Sequence, residues 1–594
     1  MGAIFGANSA ALADQARSSR HWLGARRVVG TLVWGGVIVI SWQAAEKRPS
    51  MFFHRETMHA IRVFLSAAFP PDVSFDFLAV VLKAAGKTIA TATAGTILSI
   101  LIALPLGVLS TSTLWRRGAL VSAEPNDYRR TLIGAASWLV RALLGFWRSI
   151  PELVWALLFV AAVGLGSLAG TLAVAVAYSG VLGRVYADVF ENVDVQPLEA
   201  LQATGATRMQ VFLRGIWPQA LPHLTSYTLY SFECCVRAAA VMGFVGAGGI
   251  GYEISLSMRL FEYGQVLTLI FTFLALLSLA DAASKFLRKR LQPNSRNTDD
   301  SHERQAVAIG KHGFSSGRLE RLFSWPVLTM VLMASFVFSG FTADALTQGN
   351  MLAHIGRFVM AMFPPDFDLK FINGLGRLIL QTIAISITGT WIGIALGALL
   401  ALPATSSLIF PPTDSPGRIS SIARVWQWII FWTARLMLNT LRSIPELVWV
   451  LVCILAVGIG PFAGTVAIGL HTAGVLGKLY AETMEEAPRR PIDALRSTGA
   501  SPLQILLWGV WPQAKPLLGS YTVLRWEMNL RASTILGLVG GGGLGQAIYN
   551  NVQLGFYPRV ATLVIIIYLL VISSDLLSDR LRGRAATAQE LYEG

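Results

Sequence analysis

The sequence predicts an all-α, polytopic membrane protein with about twelve transmembrane helices, arranged as two parallel six-helix repeats. Three observations predict this fold class. The 594-residue chain is 54% hydrophobic and only 14% charged, whereas about a quarter of the residues in a soluble domain are charged. Apolar stretches long enough to cross a bilayer recur along the chain, and long blocks of sequence occur twice at one constant spacing.

Six candidate spans lie in the first half of the chain. A spanning helix needs about 20 residues, and each span is expected to be helical because lipid offers no partner to a free backbone group. The first apolar core is predicted to remain as an uncleaved helix rather than a signal peptide, because further spans follow it. The four clear apolar cores are 30–40, 88–109, 143–163 and 266–279. The two more polar candidates are 171–189 and 221–245.

An internal repeat relates the two halves. The segment 148–155, Arg-Ser-Ile-Pro-Glu-Leu-Val-Trp, returns unchanged at 442–449, a shift of 294 positions. The same shift relates other blocks, such as Phe-Pro-Pro-Asp at 69–72 and 363–366 and Trp-Pro-Gln-Ala at 217–220 and 511–514.

The repeat predicts three parts of the chain: a first repeat at 1–290, a polar cytoplasmic linker at 291–318 and a second repeat at 319–594. An even number of spans per repeat gives both repeats the same orientation in the membrane. They are then related by an axis along the membrane normal, which predicts a pore on that axis.

The formal charge of +14 does not indicate nucleic-acid binding, because the basic residues lie in loops rather than along one face. Basic loops are typical of the cytoplasmic side. The loop with Arg116, Arg117, Arg129 and Arg130 and the basic end of the sixth span therefore predict cytoplasmic N- and C-termini. The segment 47–87 is an exception, since it carries six basic residues and is expected outside.

Each half carries a moderately polar segment between its fourth and fifth spans. The copy at 197–206 reads Pro-Leu-Glu-Ala-Leu-Gln-Ala-Thr-Gly-Ala, and the copy at 491–500 reads Pro-Ile-Asp-Ala-Leu-Arg-Ser-Thr-Gly-Ala. Proline suits the first turn of a helix, an acid near that end interacts favourably with the helix dipole, and glycine permits a sharp turn. The apolar residues between 209 and 216 then predict a second short helix. The pattern predicts a cytoplasmic helix–turn–helix.

These segments resemble the Glu-Ala-Ala loop of ABC importer permeases, which docks on an ATPase subunit. Two copies imply two ABC ATPase subunits as partners, which would bind the ATP and Mg that this chain is not expected to hold. The chain is accordingly expected to be no enzyme, with no catalytic, cofactor-binding or metal-binding residues of its own. The second copy departs from the family by having aspartate for glutamate. The resemblance implies these coupling residues: Glu199, Ala200, Gly205, Asp493, Ala494 and Gly499.

A second block narrows the resemblance. Tyr-Thr-Leu-Tyr-Ser-Phe-Glu at 227–233 precedes a glycine-rich run at 243–251, and the block has a twin 294 positions later. With Arg-Ser-Ile-Pro-Glu, it resembles the permease of phosphonate-type ABC importers. That resemblance implies a type I importer permease fold and the bacterial plasma membrane. It also implies an extracytoplasmic solute-binding protein and a small anionic substrate: phosphonate, phosphate or phosphite. Related methionine-type permeases share the coupling loop, so that substrate class stays open.

Charges and prolines inside the spans are candidates for a substrate path or gate. Arginine and glutamate recur four positions apart, a spacing that places two side chains on one helix face. The arginines could bind an anionic phosphorus group, or they could pair with their own glutamates and fix helix packing, which the placement of the acids favours. The prolines predict kinks. The candidates are Arg148, Pro151, Glu152, Glu233, Arg237, Arg442, Pro445, Glu446, Glu527 and Arg531.

Two rival classes are an ion-coupled secondary transporter, in which parallel repeats also occur, and a membrane-embedded enzyme. The coupling segments disfavour the first and the scattered histidines disfavour the second. The string Gly-Ala-Gly-Gly-Ile-Gly at 246–251 fits a dinucleotide fingerprint, but it follows a predicted membrane helix rather than a strand. We interpret it as a glycine-rich turn that permits close packing.

Overall fold

A computed structural model describes residues 55–111, 127–291, 332–340, 351–410 and 421–593, with isolated positions 36, 39, 41, 43 and 330. Apart from isolated positions and residue 291, the predicted span at 30–40 and the linker at 291–318 lie outside the described residues. Within the described ranges every regular element is helical. This confirms the prediction of an all-α chain.

In the first half of the chain, the described residues form helices α1 to α10 in sequence. A π-helical segment, Phe212–Ile216, joins α7 to α8, and a 3-10 turn, Gly243–Val245, follows α8. The bounds are α1 Arg55–Ala68, α2 Phe75–Ser110, α3 Asp127–Ser149, α4 Glu152–Val163, α5 Ser167–Glu191, α6 Gln196–Ala203, α7 Arg208–Val211, α8 Trp217–Met242, α9 Gly249–Arg259 and α10 Tyr263–Leu291.

The described residues of the second half follow the same order with one additional short helix, α13, and have π-helical segments at Ile505–Val510 and Gly537–Gly541. The bounds are α11 Met351–Ala361, α12 Leu369–Ala404, α13 Ser406–Ile409, α14 Ser421–Ser443, α15 Glu446–Val457, α16 Pro461–Glu485, α17 Arg489–Ser497, α18 Pro502–Gln504, α19 Trp511–Leu536, α20 Gly543–Gln553 and α21 Tyr557–Glu593.

The described part of the chain has seven helical stretches that are long and apolar enough to cross a membrane. Two further pairs, α3 with α4 and α14 with α15, reach that length only together and bend by 90° and 94°. Counting each bent pair as one span gives nine. The chain is thus polytopic, as predicted; the total of twelve stays a prediction because the predicted first span lies outside the described residues.

The described residues divide into two compact units. The amino-terminal unit comprises Met58–Leu369 and Gly545–Leu577, and the carboxy-terminal unit comprises Lys370–Leu544 with Met1–Thr57 and Ser578–Gly594. These units divide the chain differently from the sequence repeats, so the repeat boundaries stay a prediction.

In the amino-terminal unit, α2 packs closely against α5 through small residues. A Cβ added at Gly95 would lie 2.6 Å from Val174, and one added at Gly107 would lie 3.0 Å from Tyr186. Small residues allow such close approach between membrane helices. Because the contacts advance along both helices together, α2 and α5 run parallel, and their first residues lie at the same end of the unit.

The same contact occurs in the carboxy-terminal unit between α12 and α16. A Cβ at Gly389 would lie 2.7 Å from Ile468, and one at Gly397 would lie 3.0 Å from the backbone of Gly477. The repeat in sequence therefore reproduces one packing arrangement in each unit.

The glycine-rich turn after α8 packs backbone against backbone. A Cβ at Gly251 would overlap the carbonyl oxygen of Ala240, and Gly246 has a φ of +100°. Because the described ranges contain no strand, this turn lacks the βαβ setting that a dinucleotide fingerprint requires. The interpretation as a close-packing turn is confirmed.

Candidate functional site

The predicted coupling residues of the first copy lie on α6 and at the sharp turn that follows it. We call residues 196–216 the first elbow: α6, the turn at Gly205, α7 and the π-helical segment. Gly205 has a φ of +80°, and its N–H donates to Gln202 O at 2.8 Å while Ala206 N–H donates to Leu201 O at 3.3 Å. Left-handed backbone at the end of a helix favours glycine. The predicted turn is therefore present where the sequence places it.

The second elbow, residues 489–510, has the same geometry. Gly499 has a φ of +77°, and the N–H groups of Gly499 and Ala500 donate to Arg496 O at 3.0 Å and to Leu495 O at 3.3 Å. Asp493 forms a salt bridge of 3.4 Å with Arg496. The change from glutamate to aspartate leaves the backbone turn intact.

The second leg of each elbow begins with a reciprocal cap. Thr207 N–H donates to Gln210 Oε1 at 2.8 Å, and Ser501 N–H donates to Gln504 Oε1 at 2.8 Å. This is a capping-box arrangement. The leg then continues through π-helical residues directly into α8 or α19. The predicted separate second helix is wrong in this respect, because the leg is the first part of a long helix.

The two legs of each elbow pack through a glycine. A Cβ at Gly215 would lie 2.6 Å from Leu198 and 3.1 Å from Leu201. At the equivalent Gly509, a Cβ would lie 3.0 Å from Leu495. Close packing resists deformation, so a displacement of α6 or α17 is expected to move the helix that follows.

The outer surface of each elbow combines an acid with exposed apolar side chains. Glu199, Ala200, Asp493 and Ala494 are exposed. Apolar residues beside them are also exposed, with Met209 at 65% and Trp508 at 67%. Of the residues predicted to form an apolar face between 209 and 216, Val211 and Ile216 are buried. An exposed apolar group on an otherwise polar projection is typical of a protein contact.

An arginine clasp lies next to the first elbow. Arg141 on α3 donates through Nε to the carbonyl of Ser110, the last residue of α2, at 2.7 Å, and its Nη2 pairs with Glu191 at the end of α5. The last carbonyls of a helix lack intrahelical partners and form the negative end of its dipole. One guanidinium therefore joins three helices.

The second clasp repeats these contacts. Arg435 donates to Ala404 O at 3.2 Å and to both carboxylate oxygens of Glu485 at 2.8 Å. Glu485 also accepts from Ser406 N–H at 2.6 Å. The sequence analysis missed both clasps. The 294-residue shift relates Arg141 to Arg435 and Glu191 to Glu485, so the repeat was the signal that could have revealed them.

Arg148 and Glu152 do not share one helix. α3 ends at Ser149, Pro151 precedes α4, and the two helices meet at 90°. The expectation that a spacing of four places these two charges on one helix face is therefore wrong. Arg148 Nη2 instead lies 3.5 Å from Asp575 Oδ2 on α21, in the same unit. The kink predicted at this proline is confirmed.

The second copy has the same break, at 94° before Glu446. Arg442 Nε donates to Asn439 Oδ1 at 3.2 Å. Glu446 lies 3.5 Å from Nε2 of His471, whose Nδ1 is 2.9 Å from Ile444 O. Pro445 thus also separates its neighbours, and a histidine that the sequence analysis did not single out lies next to the glutamate.

The acid and arginine on α19 do pair along the helix, because α19 is continuous. Arg531 Nη2 lies 3.2 Å from Glu527 Oε1, and Arg582 on α21 lies 3.9 Å from the other oxygen. On α8, Glu233 lies 3.8 Å from Arg288. The predicted partner of Glu233, Arg237, is exposed. Arg288 and Arg582 are equivalent in the repeat and are partners that the sequence analysis missed.

In the described ranges no group of three or more His, Cys, Asp or Glu side chains is arranged to hold a metal ion. Two loop carboxyls outside the spans have shifted pKa values. The backbone N–H of Ser74 lowers the pKa of Asp72, and the backbone N–H of Asp368 together with Arg559 lowers that of Asp366. In each case the hydrogen bonds favour the ionised carboxylate, which lies in the loop before α2 or α12.

The family model for the binding-protein-dependent transport system inner membrane component matches residues 132–293 and 418–586. These two matches cover more than half of the chain and fall on equivalent parts of the repeat. The chain belongs to this permease family. Membership decides against a secondary transporter and against a membrane-embedded enzyme.

Curated relatives refine this assignment. The phosphate-import permease protein PhnE of Mycolicibacterium smegmatis is 31% identical over 450 residues, 76% of this chain and 78% of the relative. The phosphite transport system permease protein PtxC of Stutzerimonas stutzeri is 33% identical over 270 residues, 46% of this chain and 91% of the relative. The methionine import system permease protein MetP of Bacillus subtilis is 28% identical over 153 residues, 24% of this chain and 68% of the relative.

Proposed function

We propose that the chain forms the complete pore of an ATP-driven ABC importer for a phosphorus oxyanion, that is, phosphonate, phosphate or phosphite. The observation that carries this proposal is the presence of two elbows with the same turn, the same cap and the same packing. Two equivalent elbows in one chain provide docking positions for two ATPase subunits. The substrate class is supported by the phosphate and phosphite permeases among the relatives.

In the proposed cycle, an extracytoplasmic solute-binding protein delivers the anion to the outer face. Two cytoplasmic ATPase subunits, which bind ATP and Mg, close and push the elbows. Since each elbow continues into α8 or α19, the push moves a helix of the pore. The clasps transmit this movement to α2, α3 and α5, or to their counterparts, because an arginine within α3 or α14 contacts the ends of the other two helices.

The chain then lies in the inner membrane with both termini in the cytoplasm. In this proposal the arginines in the spans fix helix packing rather than bind the substrate. Carboxylate oxygens lie 3.5 Å from Arg148 and 3.2 Å from Arg531. Pro151 and Pro445, at the sharp bends, are the candidate gate elements.

Reconstitution of the permease with its ATPase and binding protein tests the proposal. We expect ATP-dependent accumulation of labelled phosphate that phosphite or methylphosphonate inhibits and methionine does not. Met209→Glu on the elbow is expected to reduce ATPase association and uptake together. The matched control is Val73→Glu, an exposed loop residue at the other end of α2. Concentrative uptake without the ATPases, or labelling of an elbow from outside, would refute the proposal.

A further inference from the structure

A cavity of about 390 Å³ lies in the amino-terminal unit at the end opposite the first elbow. It is formed where α2, the start of α5 and the start of α9 meet. Because α2 and α5 run parallel and the elbow follows the end of α5, the first residues of both helices lie far from the elbow. The polar side chains of its lining are those of Lys83, Lys87, Ser167, Tyr252 and Glu253.

The lining has a positive balance. Lys83 and Lys87 are one helical turn apart on α2, so they share a face. Glu253 is the one acid among the lining residues, which leaves a formal charge of one positive. Among the described residues, neither lysine has a carboxylate oxygen within 4.0 Å of its Nζ. Two ammonium groups therefore face the same cavity without a close ion pair.

In the second repeat, side chains of α12 accept hydrogen bonds from the N–H groups at the start of α20. There Gln381 Oε1 accepts a hydrogen bond from Gly543 N–H at 3.0 Å, and Thr382 Oγ1 accepts from the next N–H at 2.9 Å. The threonine contact is kept in the first repeat, where Thr88 accepts from Ile250 N–H at 3.0 Å.

The glutamine contact is not kept in the first repeat. Its position is occupied by Lys87, whose ammonium is a donor and cannot accept. Gly249, the equivalent of Gly543, lines the cavity, and the described residues supply no acceptor to its N–H. Lysine and glycine thus both offer donors at one place, and a bound acceptor would satisfy both.

Lys83 and Lys87 lie at the edge of the hydrocarbon, because both precede the apolar core of α2 at 88–109. The 22 residues of that core extend about 33 Å at 1.5 Å per residue, and the hydrocarbon core is about 30 Å thick. With the elbow in the cytoplasm, the start of α2 lies on the outer side. Lys83 and Lys87 belong to the segment 47–87, whose six basic residues are unexpected on that side under the positive-inside rule. A requirement for positive charge at the outer mouth explains two of them.

The geometry points to this cavity as a binding site for a small oxyanion of the phosphate class, occupied on the outer face before the anion enters the pore. Lys83 and Lys87 supply charge, and Gly249 N–H supplies a directed donor, as charge-assisted hydrogen bonds to phosphate require. This inference rests on the proposed function for its orientation and for the class of anion. The site belongs to the first repeat, so the two halves of the pore differ at their outer ends.

The test uses the full-length permease in nanodiscs, without the binding protein, titrated with inorganic phosphate by calorimetry or ³¹P NMR. Lys87→Gln introduces the residue that the second repeat has at this position, so the fold is expected to tolerate it. We expect about a tenfold weaker phosphate affinity, since a charge-assisted contact is lost, and a further decrease with Lys83→Gln. The matched control is Lys285→Gln on α10, an exposed lysine at the other end of the unit, which should leave binding unchanged.

Uptake by the complete importer separates the outcomes. We expect Lys87→Gln to raise the KM for phosphate while the maximal rate stays near that of the wild type. Unchanged phosphate affinity in both lysine variants would overturn the site even if the wild type imports phosphate. If the variants bind phosphate normally but bind the solute-binding protein less tightly, the lysines form a protein contact and the site is also overturned. Failure of the wild type to import any phosphorus oxyanion contradicts the proposed function, whereas phosphate binding that is lost in Lys87→Gln would still support the site.

Discussion

The second clasp allows a quantitative prediction about Glu485→Gln. The carboxylate accepts two hydrogen bonds of 2.8 Å from Arg435 and one of 2.6 Å from Ser406. The glutamine side chain keeps one acceptor oxygen but loses the charge. Exposed ion pairs contribute about 0–1 kcal/mol, and breaking a buried pair costs about 3–5 kcal/mol. With the two side chains 22% and 36% exposed, we expect a loss of about 2 kcal/mol.

The matched control is Glu482→Gln, about one turn earlier on the same helix. Glu482 pairs with Lys478 at 3.5 Å along the helix, and its side chain is 48% exposed, so a loss of about 0.5 kcal/mol or less is expected. Thermal unfolding should show a midpoint lowered by about 4 °C for Glu485→Gln. In the reconstituted importer, the same variant should lower phosphate transported per ATP hydrolysed. Equal effects of the two variants on the midpoint and the transport ratio would refute the reasoning.

Three further changes have clear expected results. Gly251→Ala places a methyl group against the carbonyl oxygen of Ala240 and is expected to cost about 3 kcal/mol, measured as loss of folded protein in detergent. Arg582→Met removes one partner of Glu527 and is expected to cost about 1 kcal/mol, measured by thermal unfolding. The pKa of Asp366 lies below its usual 3.8, so its contribution is complete above pH 3.8 and is lost as the pH falls through the lowered value. The protection of the loop amides, that is, the ratio of their intrinsic exchange rate to the observed rate at the same pH, should fall only below pH 3.8.

Two of these predictions, those for Gly251 and Asp366, have a comparison that could contradict them. Gly86→Ala, at a position with no atom within 4 Å of the added Cβ, should be tolerated, and an equal loss in both glycine variants would contradict the packing argument. Asp366→Asn should loosen the loop already at neutral pH. Protection that is already lost near pH 5 in the wild type would show that Asp368 N–H and Arg559 do not stabilise the carboxylate as described.

The elbows show how far sequence reasoning reaches. Proline, an acid and glycine at fixed spacing predicted a helix and a turn, and Gly205 and Gly499 have the expected positive φ. Such features depend on a few neighbouring residues, so local sequence is enough to predict them. The continuation of each elbow into α8 or α19 was not predicted. Pro218 and Pro512 lie at the second position of those helices, just after a π-helical segment, and the chain stays helical through both prolines.

The intramembrane charges show where such reasoning fails. The spacing of four was a valid guide for Glu527 and Arg531, which lie on one continuous helix. It failed for Arg148 and Glu152, because a proline between them ends one helix and the next begins at a right angle. A spacing rule assumes an unbroken helix, and the sequence analysis predicted a kink at the proline without predicting a bend of 90°.

The sequence by itself determined the class of this protein. Its hydrophobic composition, its 294-residue repeat and its two coupling segments depend on residue identity and order, and these are sufficient to place the chain in a membrane and in a permease family. Only the tertiary structure decided the partners of the charged residues. The clasps, the pairing of Glu233 with Arg288 and the cavity around Lys87 join residues that are tens to more than a hundred positions apart. Such contacts follow from which helix ends meet, and that is set by packing over the whole unit.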